Sequence, residues 1–146
     1  MDISGYMAYP VKFIPWDKGN GFTVMLSGVS GVISEGNTKE EAIRMIIDAF
    51  ALMADVYLGE KKIINPAPKP KDGEELVSIP LVLALKIILR NEMIREGITQ
   101  RELGSRLGMS PQLASQTFNL CRPRTNVDTL LKAFRAIGKE VRISID

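Results

Sequence analysis

The chain has 146 residues, of which 45% are apolar and 25% are charged, and its 19 Lys and Arg stand against 17 Asp and Glu. This composition is typical of a globular chain with one core or two small ones, and not of a disordered or fibrous protein. The sequence has no histidine, which excludes Ser-His triads and HExxH zinc sites. Its longest apolar runs fall well short of the ~20 residues that span a bilayer.

The single cysteine and the N-terminal sequence indicate the cellular compartment of the protein. The single cysteine, Cys121, has no partner for an internal disulfide, which is typical of a reducing compartment. The first residues, MDISGYMAYP, lack the basic region and apolar stretch of a secretory signal. The sequence therefore predicts a cytoplasmic protein without a membrane partner.

Charge divides the chain into two parts. Residues 1–78 hold 8 Lys and Arg and 11 Asp and Glu, a net charge of −3, whereas residues 79–146 hold 11 and 6, a net charge of +5. The stretch NPAPKPKDGEE, residues 65–75, has three prolines alternating with other residues, which predicts an extended connector between the two parts. We therefore expect one domain over residues 1–78, including this connector, and a second over residues 79–146, each with its own partner.

The first part has the pattern of a small α/β domain. AYPVKFIPW and GFTVMLS are rich in aromatic and β-branched residues and flank the turn-forming DKGN, which predicts an antiparallel hairpin. A third strand is expected near residues 32–35 and a last one over residues 75–79. Thr38 and Glu41 have the spacing of a capping box, so a long helix should run to about Leu58. Its expected buried stripe comprises Ala42, Ile46, Ala49, Met53 and Val56, widened by Ile43, Ile47, Phe50 and Tyr57.

A catalytic function for this domain is disfavoured. Nucleases of the ribonuclease H type need several converging carboxylates to hold two cations about 4 Å apart. The centres of the predicted strands carry no carboxylate, and we interpret Asp17, Asp48 and Asp55 as solvated surface residues. The sequence thus predicts no catalytic residue, no metal ligand and no cofactor.

The second part begins with one longer helix. Pro80 suits a first helical turn, and Gly97 suits the end of the helix. Between them, apolar residues recur at helical spacing and predict one continuous buried stripe. Its members are Leu81, Leu85, Ile88, Leu89 and Ile94.

Two short helices should follow. Thr99 and Glu102 form a second capping box, Gly108 suits a left-handed helix end, and Ser110 caps a further helix whose first residue is Pro111. A helix, a tight turn and a second helix predict a helix-turn-helix motif. An ordinary helical hairpin is the alternative that this pattern leaves open.

The packing of the second short helix is expected to be light. Gly104 lies where the two short helices must approach closely, and the interior positions Ala114 and Thr117 are small. We therefore expect larger neighbours to supply the packing, namely Leu113, Phe118 and Leu120.

The candidate DNA-binding residues are polar and cluster around this second helix. Amide side chains pair bidentately with adenine edges, and arginines bind phosphates. Gln112, Ser115, Gln116 and Asn119 share one side of the helix, with Arg122 and Arg124 just beyond it. The starts of the two helices add Gln100, Ser110 and Pro111.

The stretches YPVKFIPWDKGNGFTVMLSGVSGVISEGNTKEEAI, IPLVLALKIILRNEMIREGITQRELGSRLGM and IGKEV, in this order, resemble the HicB antitoxins of HicA–HicB toxin–antitoxin systems. The resemblance covers nearly the whole chain from Tyr9 onward, although Ser27 stands where the family often has proline. It implies an α+β protein with an N-terminal partial ribonuclease H-like β-β-β-α-β domain that lacks the catalytic carboxylates. It further implies an all-helical, helix-turn-helix DNA-binding domain with a C-terminal strand.

The same resemblance implies the partners. The first domain would bind and block a HicA-type ribonuclease toxin, and the second would bind operator DNA in the promoter of its own operon. Two other classes stay open at this point. One is a stand-alone helix-turn-helix transcription regulator whose α/β domain senses a small ligand, and the other is a ribonuclease H-like nuclease, which the missing carboxylates disfavour.

The last residues, EVRISID, alternate apolar and polar side chains over residues 140–146. A single strand after a helical bundle leaves its backbone groups unpaired, so we expect it to pair with a two-fold copy of itself and form a homodimer. Further pairing of dimers into tetramers through the N-terminal domain is left open.

Overall fold

The computed structural model describes residues 2–122 and 125–146. These form an α+β fold in which a four-stranded antiparallel sheet is combined with α-helices, as the sequence predicts. Within the described residues, no helix has the length and apolar character required to cross a membrane. After a 3₁₀ turn (Ser4–Tyr6), the elements are β1 (Ala8–Pro15), β2 (Phe22–Leu26), β3 (Ile33–Gly36), α1 (Lys39–Gly59), β4 (Glu74–Ser78), α2 (Leu81–Glu96), α3 (Gln100–Arg106), α4 (Pro111–Phe118) and α5 (Val127–Ala136).

The sheet has the order β3-β2-β1-β4. The predicted hairpin is confirmed, with Val11 of β1 opposite Leu26 of β2. On the other side of β1, Tyr9 lies opposite Val77 of β4. Strands β3 and β4 are each displaced by one residue from their predicted positions.

One face of the sheet packs against α1. The helix begins at the predicted cap, where the Thr38 hydroxyl accepts a hydrogen bond of 3.0 Å from the backbone N–H of Glu41. The predicted stripe is partly wrong, because Val56 is 44% exposed. Since α1 contacts α2 as well as the sheet, its buried side is turned towards both. The buried residues of α1 are Ala42, Ile46, Phe50, Ala51, Ala54 and Leu58.

Helix α2 lies between two clusters of buried side chains. Leu83, Ala84 and Ile87 join the cluster formed by the sheet and α1. Other residues of α2 pack against α3, α4 and α5, so the helix is buried on two sides and the predicted single stripe is wrong. The second cluster comprises Leu85, Ile88, Leu89, Met93, Leu103, Ala114, Phe118, Leu130, Ala133, Phe134 and Ile137.

The proline-rich stretch of residues 65–75 was predicted to connect the two parts of the chain, but it does not lie between them. It leads from α1 to β4, and β4 pairs with β1, so it lies within the α/β part. The Tyr9 hydroxyl donates a hydrogen bond of 2.7 Å to the carbonyl of Asn65, and the Ala67 N–H donates one of 2.7 Å to the carbonyl of Gly5. Only two residues, Ile79 and Pro80, stand between β4 and α2.

The C-terminal residues 140–146 form neither helix nor strand within the single chain. The predicted strand needs a second copy of the chain as its partner, because its backbone groups require hydrogen bonds across a pair, so it stays a prediction. Ile143 and Ile145 are 73% and 96% exposed, whereas Val141 is half-buried. Two of the three alternating apolar side chains, Ile143 and Ile145, are thus left open to solvent, whereas Val141 packs against the second cluster.

A buried asparagine joins α2 to the segment that follows α1. Asn91 is 1% exposed, and its side-chain carbonyl accepts a hydrogen bond of 2.9 Å from the N–H of Ile64. The amide nitrogen of Asn91 donates to the backbone carbonyl of Ile64 at 2.8 Å and to the Tyr6 hydroxyl at 3.3 Å. One side chain therefore satisfies both backbone groups of Ile64, as a neighbouring strand would.

We predict that Asn91→Leu lowers the free energy of unfolding by about 1–3 kcal/mol, because it leaves the buried N–H of Ile64 without a partner. The Ile64 carbonyl keeps the hydrogen bond of 2.9 Å from the Tyr6 hydroxyl. Asn65→Leu is the matched control at an exposed position and should change stability by less than about 0.5 kcal/mol. Urea unfolding followed by circular dichroism measures both variants. Equal stabilities of the two variants would contradict this role of Asn91.

Candidate nucleic-acid interface

Helices α3 and α4 are joined by a tight turn whose caps follow the sequence. The Thr99 hydroxyl accepts a hydrogen bond of 3.1 Å from the N–H of Glu102, and the Ser110 hydroxyl accepts one of 3.1 Å from the N–H of Leu113. Between the helices, Gly108 has a φ of +72°, the left-handed conformation that was predicted there. These local signals fix where α3 ends and α4 begins.

The two short helices approach each other at Gly104. A Cβ atom at this position would lie 2.5 Å from the Cβ of Ala114, so only glycine fits, as predicted. Ala114 and Phe118 are fully buried one helical turn apart. Leu113 is 49% exposed, so the prediction that it packs inward is wrong, because the helix turns that position away from Ala114.

The outward side of α4 presents polar side chains. Gln112, Ser115 and Gln116 are all exposed at positions one turn apart, so they share one face. Ser110 and Pro111 are exposed at the start of the helix, and Gln100 is half-buried at the start of α3.

Of the two predicted phosphate-binding arginines, one is described. Arg122 is exposed in the turn that follows α4, next to the polar face. Arg124 lies outside the described residues. The described part of the interface thus combines uncharged donors and acceptors with one cationic side chain at the end of the helix.

Asn119 has a different environment from the exposed amides. It is half-buried, and its side-chain oxygen accepts a hydrogen bond of 2.8 Å from the N–H of Cys121. Its backbone carbonyl accepts one of 3.0 Å from the Lys86 ammonium. The side-chain oxygen of Asn119 therefore already has a partner within the chain, whereas the sequence grouped this residue with Gln112 and Gln116.

A groove of about 780 Å³ runs along α4 and contains residues that the sequence did not single out. Asn126 lies in this groove and caps α5, since its side-chain oxygen accepts a hydrogen bond of 2.8 Å from the N–H of Thr129. An asparagine directly before an apolar helix is a capping signal that would have located this element. The groove is lined by Met109, Leu113, Gln116, Thr117, Arg122, Thr125, Asn126 and Thr129.

The carboxylates of the α/β part differ in their surroundings. Asp17 and Asp48 are exposed, as expected. Asp55 is not a solvated residue, because its side chain is 24% exposed and forms an ion pair with Arg90. It also accepts a hydrogen bond of 3.2 Å from the N–H of Leu120. Within residues 2–122 and 125–146, no three Cys, Asp or Glu side chains are grouped as metal ligands.

We predict that Gly104→Ala lowers the free energy of unfolding by about 1–3 kcal/mol, because the added methyl group meets Ala114 and forces α3 and α4 apart. Ser105→Ala, at the exposed neighbouring position, is the matched control and should cause no loss.

The double variant Gly104→Ala with Ala114→Gly tests the cause of this loss. It restores room at the contact and should recover part of the stability, although a glycine inside α4 costs about 1 kcal/mol. Thermal unfolding measures all three proteins. A Gly104→Ala variant as stable as the Ser105→Ala control would contradict the close contact.

Sequence comparison relates the chain to curated antitoxins. It is 34% identical over 140 residues to Antitoxin HicB 1 of Photorhabdus laumondii, which covers 96% of this chain and 88% of the relative. It is 32% identical over 138 residues to Antitoxin HicB of Escherichia coli K12, which covers 94% and 98% of the two chains. Antitoxin HicB of Pseudomonas fluorescens is 21% identical over 112 residues. No family model matches the chain.

Proposed function

The chain belongs to the HicB antitoxin family, and we propose that it blocks a HicA-type ribonuclease toxin and represses its own operon by binding the promoter. An antitoxin role within a toxin–antitoxin system follows from relatives that are 32–34% identical over 94–97% of this chain. The toxin class and the promoter are our inference. The observation that carries the DNA-binding part is the exposed amide face of α4 beside Arg122.

We infer that α3 and α4 form a helix-turn-helix and that α4 is its recognition helix. Eight residues, a capped start and a polar outer face suit insertion of the N-terminal end of α4 into a major groove. Gln112 and Gln116 would read base edges, because an amide pairs bidentately with adenine. Arg122 would bind a phosphate, which adds affinity without sequence preference.

We predict that replacing Gln112 and Gln116 by alanine weakens operator binding by about 1–3 kcal/mol for each lost base contact, with little effect on unrelated DNA. Arg122→Ala should weaken binding to all sequences and reduce the salt slope by about 1. Arg44→Ala, an exposed arginine on α1, is the matched control. Fluorescence anisotropy at several salt concentrations measures these effects, and unchanged operator affinity of the glutamine double variant would refute the assignment.

We infer a homodimer that forms through residues 140–146. Ile143 and Ile145 are 73% and 96% exposed, and the half-buried Val141 continues their alternation. An antiparallel pair of these segments would bury apolar side chains and satisfy the backbone. Two-fold pairing would also present two α4 helices to DNA, about one turn or ~34 Å apart.

We predict that Ile143→Asp yields monomers, because it places a charge on the apolar side of the paired strands. Ser144→Asp adds the same charge on the other side and should leave the dimer intact. Light scattering over a range of protein concentrations distinguishes the two. Deletion of residues 140–146 should also give monomers, and a truncated chain that remains dimeric would rule out this interface.

We infer that the α/β part, which carries a net charge of −3, blocks the toxin sterically. A toxin that cuts RNA must attract phosphate, so its active surface should be basic and complementary to an acidic inhibitor. The sheet face opposite α1 is open and apolar enough to serve as the contact. Its exposed residues are Ile14, Met25, Ile33 and Leu76. A partial ribonuclease H-like fold for this part is the form that the resemblance implies.

We predict that the full chain still protects cells from the toxin when Gln112, Gln116 and Arg122 are replaced by alanine, because inhibition does not use the DNA-binding face. Leu76→Lys on the open sheet face should abolish protection by placing a cation against a basic surface. Leu52→Lys on α1 is the matched control, since the two leucines are 59% and 57% exposed. Growth and RNA integrity measure protection, and a Leu76→Lys variant as protective as the control would contradict this face.

A stand-alone regulator that senses a ligand is the second candidate. It is favoured by a groove of about 730 Å³ between α1 and the start of α2, lined mainly by apolar side chains such as Ile47, Leu52 and Leu83. Purified protein that retains an apolar small molecule and has no protein partner would support this function over the first.

A further inference from the structure

The turn that follows α4, residues 119–122, is docked on the α/β part of the chain. Leu120 is 5% exposed and belongs to the apolar cluster of the sheet and α1, not to that of α3, α4 and α5. The chain thus leaves the proposed recognition helix and at once buries a leucine in the other cluster. We call residues 119–122 the docking turn.

Asp55 on α1 holds the backbone of the docking turn. Its carboxylate accepts a hydrogen bond of 3.2 Å from the N–H of Leu120. The same oxygen receives the guanidinium of Arg90 on α2, whose side chain is 9% exposed. A partly buried carboxylate with two donors has a defined position, so the turn is fixed relative to both helices.

Lys86 on α2 holds the carbonyl groups of the docking turn. It is 1% exposed, and its ammonium donates to the carbonyl of Asn119 at 3.0 Å and to the carbonyl of Arg122. These acceptors lie just beyond the C-terminal end of α4, where a helix favours a cation. Because the second carbonyl belongs to Arg122 itself, Lys86 also fixes the backbone position of this arginine.

The burial of Lys86 works against the stability of the chain. Removal from solvent lowers the pKa of Lys86 to about 8, against the opposing effect of Asp55. A folded-state pKa below the usual lysine value means that the unfolded chain binds the proton more tightly. The free energy of unfolding should therefore rise with pH from about 8 upward, and an apolar residue at this position would avoid the cost.

We propose that Lys86 and Asp55 are positioning residues of the DNA interface. They fix the end of α4 and Arg122 against the α/β part, so operator affinity depends on two side chains that do not contact DNA. This inference rests on the proposed promoter binding. It also links the α/β part to the turn that ends the recognition helix, through the hydrogen bond between Asp55 of α1 and the backbone of Leu120.

The test compares two lysine variants of the full chain. Lys86→Met removes the ammonium and keeps an apolar side chain of similar length, whereas Lys62→Met removes the same charge at an exposed site paired with Glu60. Anisotropy with a promoter fragment should show operator binding weakened at least about tenfold by Lys86→Met, the equivalent of one lost contact. Lys62→Met should stay within about twofold of the wild type.

The pH dependence separates positioning from a general effect on stability. From pH 7.0 to 9.5 the operator affinity of the wild type should fall as Lys86 loses its proton, while its resistance to urea rises. The other charged groups near Lys86 are Asp48 and Asp55 on α1 and Arg90 on α2. Burial raises the pKa of Cys121, and Cys121→Ser should therefore retain the dependence.

Two more variants cover the case in which Lys86→Met does not fold. Lys86→Arg keeps the charge and the donors, and Lys86 borders the groove of about 730 Å³, which offers room for the larger side chain. This variant should retain operator binding and should not show the fall in affinity above pH 8. Asp55→Asn removes the negative charge that binds the Arg90 guanidinium and the N–H of Leu120. This variant should lower operator affinity in the same way as Lys86→Met.

The outcomes distinguish this inference from the function on which it rests. If the wild type binds its promoter while Lys86→Met and Asp55→Asn bind it equally well, the positioning role is wrong and promoter binding stands. If the pH dependence persists in Lys86→Met, the role is likewise wrong. If the wild type does not bind the promoter at any pH, both proposals are overturned together.

Discussion

Burial of α2 on two sides is the constraint on which the arrangement of the chain depends. The helix contributes to both apolar clusters, so three of its polar residues, Lys86, Arg90 and Asn91, have almost no contact with solvent. Buried polar groups destabilise a protein unless they are hydrogen-bonded. Each of the three finds its partner in a different segment of the chain: the docking turn, α1 and the backbone of Ile64.

These contacts give the interface between the two parts its geometry. Apolar packing alone tolerates small shifts, whereas hydrogen bonds from buried side chains define one arrangement. The α/β part and α4 are therefore held by directed contacts, with only Ile79 and Pro80 between β4 and α2. In the proposed function, a toxin bound to the α/β part would affect α4 through α1 and the docking turn, and the two binding free energies would be coupled reciprocally.

Features specified by neighbouring residues could be predicted from the sequence. The caps at Thr38, Thr99 and Ser110 and the left-handed Gly108 were found where expected, because three or four residues determine each of them. The close approach at Gly104 was also predicted, since a glycine inside a short helix is a local signal of a close neighbour. These elements were sufficient to locate the exposed face of α4.

Features that depend on distant contacts were predicted poorly. The buried sides of α1 and α2 were misjudged because each helix packs against more than one neighbour. Asp55 was predicted to be a solvated surface residue, because its partners Arg90 and Leu120 are 35 and 65 residues away along the sequence. The position of residues 65–75 depended on the pairing of β4 with β1, and a C-terminal strand requires a second chain. Periodicity within one segment carries none of this information.

The most direct test of the central claim is purification of the protein expressed from its native operon, with light scattering and mass spectrometry of what elutes with it. Our account predicts a stable complex with a small basic protein that cleaves RNA when released from the antitoxin. It also predicts that the complex or the free chain binds the operon's promoter. A chain that elutes alone and leaves co-expressed RNA-cleaving activity unaffected would contradict the account.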